Sequence, residues 1–517
     1  MPAIITDKLR IINCTNFIDD VSAGKYYTFI GLPNADSLYP NWDSTKPSPT
    51  DNELYLNSYR DSILGVKQIT SSDIIRVIPK NVWASGKRYE MYRHDYSVQN
   101  LSPVTSSTRL YDSLYYVMNS EYRVYICIYN GALPASNIGS VVSTQEPVHT
   151  DLAPRLESDG YIWKYLYTLS PSDFLKFDST NYISVPNNWE TSANEEISRV
   201  RDGAVAGKIE AVLVENNSNS TYQYSNQTLQ NVPIKGDGTG GLASVSFDEL
   251  GKPIKVEVTN GGVGYTFATL DLDSVAQISE GNKAIFNVII PPKGGHGSDV
   301  YSELGAFRAL IYSRIENNPS NPDFIVGNQF SRIGIVKGIE TYGGAEAFSS
   351  STGSGVYGIK LNEDASAETY DSTITQTNTG AIANLVSFDV NTKVLRYIQP
   401  RYNNVDTYLE GNTNNVQIDY QYSNSVSGLT TTSNYNYAAF DNSSIKIGSN
   451  TYTVNTAFSG TSTTVSSVVY YLGQTFTGGL ANPDINTKSG DIIYVDNRVS
   501  VTRSSQQRED IKIILEF

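Results

Sequence analysis

His94, His149 and His296 are the chain's only imidazoles, so a proton relay or an imidazole-bound metal must use one of them. His296 is the best placed, because Asp299 and Glu303 follow at a spacing that fits one helical face. A histidine with two carboxylates can hold a divalent ion. The surrounding Lys293-Gly-Gly-His-Gly-Ser-Asp-Val300 is rich in glycine, however, and favours a backbone turn over a metal site. Asp271 and Asp273, two apart on an expected strand, could share a calcium ion or form a solvated face, and the face is favoured. Gly236-Asp-Gly-Thr-Gly-Gly241 lacks the Lys-Ser/Thr ending of a phosphate loop and reads as a β-turn cluster. Glycoside cleavage needs two carboxylates ~5–10 Å apart in space, a separation that linear spacing does not fix. Cys14 and Cys127 are too few for a disulfide scaffold and read as buried thiols. No residue set is therefore given a catalytic, cofactor-binding or metal role, and no cofactor is expected.

The elements around these residues alternate mostly with the period of a strand. Along residues 159–169, Tyr161, Trp163, Tyr165, Tyr167 and Leu169 fall on one face and Ile162, Lys164, Leu166 and Thr168 on the other. Such a ladder is expected to be a core strand, with a subunit contact or a sugar platform as lesser readings. Residues 122–129 form a second strand, apolar on both faces. Leu110, Leu114, Val117 and Met118 follow helical spacing, with Ser107 and Thr108 as caps. A short helix is expected near Ser71-Ser72-Asp73, burying Ile74, Ile75 and Ile78. Ser170-Pro-Ser-Asp173 opens another. Leu304, Phe307 and Ile311 are spaced as a helical face that Gly305 weakens, so a strand stays open there.

From Lys208 onward the chain reads as short strands and glycine turns. Strands 245–247 and 254–258 flank the turn at 248–251, and strand 285–290 ends at Pro291-Pro292. Residues 386–390 and 394–398 form a hairpin, among polar stretches such as 430–437 and 459–467, and the Pro-rich 33–49 is a surface loop. At the end of the chain, residues 490–495 and 499–502 are expected to form a hairpin around Asp496-Asn497. Ile511, Ile513, Leu515 and Phe517 then alternate along a strand that is expected to be paired and buried.

At 517 residues the chain has room for about three or four domains. Tyr, at 37, and Gly, at 39, are abundant, which suits β structure with polar turns. A net charge of −15 without any basic run excludes a nucleic-acid partner, which would need clustered cations. No run approaches ~18 apolar residues, so no membrane insertion is expected. The first residues lack the layout of a secretion signal, which leaves the sequon at Asn219-Ser-Thr221 without weight.

Four segments, taken in order, carry a resemblance: Asp61-Ser-Ile-Leu-Gly-Val66; Asp159–Leu169 with Asn181-Tyr-Ile-Ser-Val-Pro186; Gly327-Asn-Gln-Phe-Ser-Arg-Ile-Gly-Ile-Val336; and Gly490-Asp-Ile-Ile-Tyr-Val-Asp-Asn-Arg498 followed by Ile511–Phe517. The chain resembles the baseplate wedge subunits of T-even-type contractile-tailed phages, the gene product 8 family, in a longer cyanophage-like form. Longer relatives carry a Gly-His-Gly element similar to the one at His296. The Thr-Asn-Gly-Gly-x-Gly-Tyr form at 259–265 also resembles a repeat unit of phage structural proteins.

The resemblance implies a mainly β fold with a few helices (α+β), a multi-domain β-sandwich-like body with inserted β modules. Residues 1–202, 295–340 and 485–517 would build the body, and 203–294 and 341–484 would be the insertions. It also implies a non-catalytic virion protein of the tail baseplate, synthesised in the bacterial host cytoplasm. That protein would be a homodimer, would link other baseplate wedge proteins, and would take part in the rearrangement before sheath contraction. The rival readings are a carbohydrate- or receptor-binding tail module and a polysaccharide-degrading tail enzyme.

Overall fold

The computed structural model describes residues 4–33, 42–132, 141–216, 220–318, 324, 326–400, 439–504 and 507–517. The fold is mainly β, built from several antiparallel sheets with few helices. The chain forms two compact units: residues 1–17, 75–310 and 514–517 in the first, and 18–74 and 311–513 in the second. The expected loop over 33–49 and the polar stretch 430–437 lie partly or wholly outside the described residues.

In the first unit the aromatic ladder is the strand Tyr161–Thr168, antiparallel to Arg123–Asn130. Tyr161, Trp163, Tyr165 and Tyr167 are all buried, and so are Leu166 and Lys164 on the other face. The ladder is thus core rather than surface. Its phenols are satisfied locally: Tyr161 donates to the Val141 carbonyl at 2.7 Å and Tyr167 to that of Ser184 at 3.0 Å. Ser170 accepts from the Asp173 amide and starts the helix Pro171–Phe177.

Two expected helices are strands. Leu110–Asp112 is a single 3-10 turn, and Tyr116–Met118 is a strand against Val124–Ile126. The buried Glu90 carboxylate takes the Leu114 amide at 2.5 Å, which draws the chain out of a helix before Tyr115 and Tyr116 enter the core. Ser71–Asp73 makes one capped 3-10 turn, and the β-branched run that follows becomes the strand Ile74–Pro79 against Tyr182–Val185. The helix expected through Ile311 stops early. Val300–Leu304 ends at Gly305, whose φ of 64° is left-handed, and the chain re-emerges as the strand Arg308–Glu316.

Residues 209–290 pack as a small β body around Val232, Ile234, Ala243, Val245 and Tyr265. The strands Ala211–Asn216 and Ile285–Ile289 pair at its stem, Ala211 opposite Ile289. Thr239–Phe247 and Pro253–Val263 form the expected hairpin. Tyr265 sits inside it, donating to the Ile234 carbonyl at 2.8 Å and accepting the Gly241 amide at 3.1 Å.

The second unit holds a five-stranded sheet in the order Thr352–Ser354, Ile63–Gln68, Tyr26–Gly31, Gln329–Lys337, Asp491–Thr502. The hairpin expected at Asp496-Asn497 is absent. Asp491–Thr502 is one continuous strand, and the irregularity appears as register shifts against Gln329–Lys337. Asn497 is held there by its side chain, which accepts from Arg332 and donates to the Pro47 carbonyl.

A seven-stranded sheet lies between Tyr357 and Ala481 and contains the expected hairpin of Ala381–Asp389 with Val394–Ile398. The pairs Gly358–Ala481 and Thr341–Ile485 bring its two ends together. The polar stretch 459–467 is a hairpin strand, Gly460–Val465, turning to Val468–Phe476 through Ser466 and Ser467, both at positive φ. Arg508–Glu516 runs antiparallel to Arg308–Glu316, as the ion pairs Arg308–Glu516 and Arg314–Asp510 require. Along it Ile511 and Ile513 are buried, while Leu515 and Phe517 are half-buried rather than enclosed as the alternation suggests.

Candidate functional site

Gly294, Gly295 and Gly297 all adopt positive φ and fold the chain tightly around His296. The imidazole stands edge-on to Tyr92, centroids 4.7 Å apart. Its Nδ1 lies 2.5 Å from Glu303 Oε1, and Glu303 Oε2 accepts the Gly297 amide at 2.7 Å. Both side chains are buried. The structure therefore joins His296 to Glu303 but not to Asp299. Asp299 caps the Val300–Leu304 helix, accepting from the amides of Tyr301 and Ser302 at 3.1 Å each.

Beside His296 lies a cavity of about 200 Å³, also lined by Lys164, Lys208 and Glu210. Glu210 sits 3.8 Å from the buried Lys164 ammonium and 3.7 Å from Lys208. A carboxylate-held imidazole leaves Nε2 for other work, as in metal ligands and general bases. Among the described residues no hydroxyl or thiol side chain lines the cavity for it to activate. Among the described residues no three His, Cys, Asp or Glu side chains gather closely enough to hold a metal ion. What the geometry does provide is a pin: Glu303 fixes the glycine loop from two sides.

The other candidates separate. Asp271 pairs with Lys235, and Asp273 with Lys283 at 2.6 Å, so each carboxylate has its own ammonium. Asp237, in the glycine-rich turn, accepts from Thr266 and Phe267, and these bonds hold its carboxyl down at about 2. The turn thus fastens a hairpin rather than cradling a phosphate. His94 Nδ1 accepts the Ile290 amide at 3.2 Å. His149 is buried, with no close hydrogen-bond partner for either ring nitrogen among the described residues; burial pushes its pKa down, against the Asp151 carboxylate 4.0 Å from Nδ1. Cys14 and Cys127 are buried free thiols; burial pushes Cys14 up to about 12 and raises Cys127 as well.

Sequence reasoning passed over Arg332, although a charge inside an apolar strand was the available signal. It is buried in the second unit. Its Nε donates to Asn497 Oδ1 at 2.9 Å, and its Nη1 to Ser62 Oγ at 2.9 Å and the Leu32 carbonyl at 3.1 Å. The guanidinium lies 4.7 Å from the centre of the Tyr59 ring. Ser62, Arg332 and Asn497 come from three of the four segments singled out above, so one side chain ties together parts of the chain hundreds of residues apart. Two further contacts reinforce the junction. Arg60 Nε donates to the Gly490 carbonyl at 2.8 Å. A Cβ on Gly334 would fall 2.4 Å from both the Phe29 ring and the Tyr494 carbonyl. Glu90, also missed, plays a comparable local part in the first unit, accepting from the amides of Val104, Thr105 and Leu114.

The baseplate wedge protein gp8 of Enterobacteria phage T4 is 23% identical to the chain over 224 residues, 38% of this chain and 64% of that protein. The chain thus spans less than two thirds of the curated relative that it matches. No family model matches it.

Proposed function

We propose that the chain is a structural subunit of a phage tail baseplate, placed in the wedge. The observation that carries this reading is the Arg332 junction. Three of the four segments that resemble the wedge family meet at Ser62, Arg332 and Asn497. The similarity to a protein named for the baseplate wedge supports the same reading. In finer detail, the subunit would link neighbouring wedge proteins and take part in the rearrangement before sheath contraction, without catalysis or nucleic-acid contact. Residues 203–294 and 341–484 would be insertions into the body formed by 1–202, 295–340 and 485–517.

A homodimer belongs to the proposal. Supporting it is an exposed apolar stripe at the start of the chain: Ile4 (85% exposed), Ile5 (65%), Leu9 (46%) and Ile12 (43%). A second copy could cover it, provided that the seam buries at least ~1,000 Å² and outweighs the repulsion between chains of charge −15.

Cryo-EM of assembled tails is the deciding experiment. The expected result is density for the chain within each wedge, as a two-fold pair, and no assembled baseplate when it is missing. Its absence from the tail, or its presence only at a fibre tip, overturns the reading. A rival reading, glycan binding, is favoured by one specific cleft.

A further inference from the structure

We infer that a tyrosine-lined cleft in the second unit is a binding site for an oligosaccharide, which it holds without cleaving. The cleft has a volume of about 430 Å³. One wall is a run of aromatic rings whose inner members, Tyr397 (4% exposed) and Phe440 (7%), belong to the core, so Tyr342 and Tyr357 are the ones that a ligand can reach. Tyr342 meets Tyr357 edge-on at 5.8 Å, Tyr357 stacks on Tyr397 at 5.2 Å, and Tyr397 meets Phe440 at 5.0 Å. Tyr342 is the outermost, 37% exposed. Asn482, Asn486 and Lys488 supply polar groups on the rim.

This mixture matches the two surfaces of a sugar ring. Aromatic faces take its C–H side out of water, and amides offer a donor and an acceptor together to neighbouring hydroxyls. Asn486 is already engaged, donating to Glu340 and accepting from the Lys488 amide, which fixes the rim beside it. Asn482 is exposed, as a ligand would require. A purely apolar ligand would cover the Asn482 amide without offering it a partner. A nucleic acid would meet a single lysine on a chain of charge −15.

Cleavage is a separate matter. Hydrolysis of a glycosidic bond uses two carboxyl groups flanking it, and among the described residues no Asp or Glu lines the cleft. The inference does not depend on the chain's place in a baseplate.

The test uses the full chain with a panel of neutral and uronic-acid oligosaccharides and lipopolysaccharide-derived O-antigen fragments, titrated by calorimetry up to ~10 mM. At least one glycan should bind, with Kd below ~1 mM. Tyr342→Ala and Asn482→Ala, both at exposed positions, should each weaken it about tenfold while leaving the melting temperature unchanged. No reducing ends should be released on long incubation. Either of two results overturns the inference: no binding anywhere on the panel, or binding that both variants leave intact. Release of reducing ends that Tyr342→Ala abolishes would make the cleft an enzyme site instead.

Discussion

Arg332 and Arg396 are both buried arginines on strands of the second unit, yet they are treated in opposite ways. Arg332 is surrounded by acceptors from three distant segments and a tyrosine ring. Arg396 donates to the Leu472 carbonyl and lies 5.6 Å from the centre of the Phe476 ring, but its buried Nη1 has no hydrogen-bond partner among the described residues. Burial pushes it down to about 10, so it stays charged at neutral pH. The first guanidinium organises its sheet. The second is a cost that the seven-stranded sheet tolerates. The lesson is that burial of a charge says little by itself, and that the number and origin of its partners say whether the fold depends on it.

The sharpest test of the contrast is Arg332→Ala. Removing the guanidinium takes the donor away from Asn497 Oδ1 and the Leu32 carbonyl, while Ser62 Oγ keeps its bond to the Tyr59 carbonyl, and the second unit should lose about 2–4 kcal/mol. Calorimetry that finds a loss below ~1 kcal/mol would end the claim that Arg332 is a junction. Gly334→Ala probes the same sheet without touching a charge. A methyl 2.4 Å from the Phe29 ring forces a shift, and about 1–3 kcal/mol should go, read from the urea midpoint.

Arg396→Met is the counterpart and should fall within about 1 kcal/mol of the parent or be more stable, because an apolar chain removes an unsatisfied donor. A large destabilisation would erase the difference between the two sites.

The smallest effect extends the comparison to a group that can discharge. His149 is buried without a close hydrogen-bond partner among the described residues, and its folded pKa lies below the ordinary value. The unfolded chain therefore binds the proton more readily, so stability should be complete above the ordinary histidine pKa of ~6.5 and fall as pH drops below it. The slope for one proton is at most ~1.4 kcal/mol per pH unit. His149→Phe should flatten that part of the melting-temperature profile between pH 7 and 5; an unchanged slope would remove His149 as the cause.

Much of the fold was legible where one face of a strand faces core and the next faces away. The hairpins at 245–258 and 386–398 and the Ser170 cap were read directly. Errors came where a distant side chain decides the local path. Glu90 turns residues 110–118 from helical spacing into a strand, and Arg332 keeps Asp496-Asn497 extended where turn chemistry predicts a bend. Neither partner is near in sequence, so no window could have shown it. Helical spacing grouped His296 with Asp299 and Glu303, with a glycine turn preferred over a metal site; His296 lies in the turn before the helix and meets Glu303, while Asp299 caps the helix.

The paired stems have a genetic consequence. Ala211 faces Ile289, and Gly358 faces Ala481. Opposite residues in an antiparallel pair stand about 4.5–5.5 Å apart. Recombination at both strands of either stem therefore exchanges everything beyond the stem while displacing the remaining backbone hardly at all. Two crossovers, one in the coding sequence of each stem strand, could replace the surface beyond the stem and keep the same scaffold beneath.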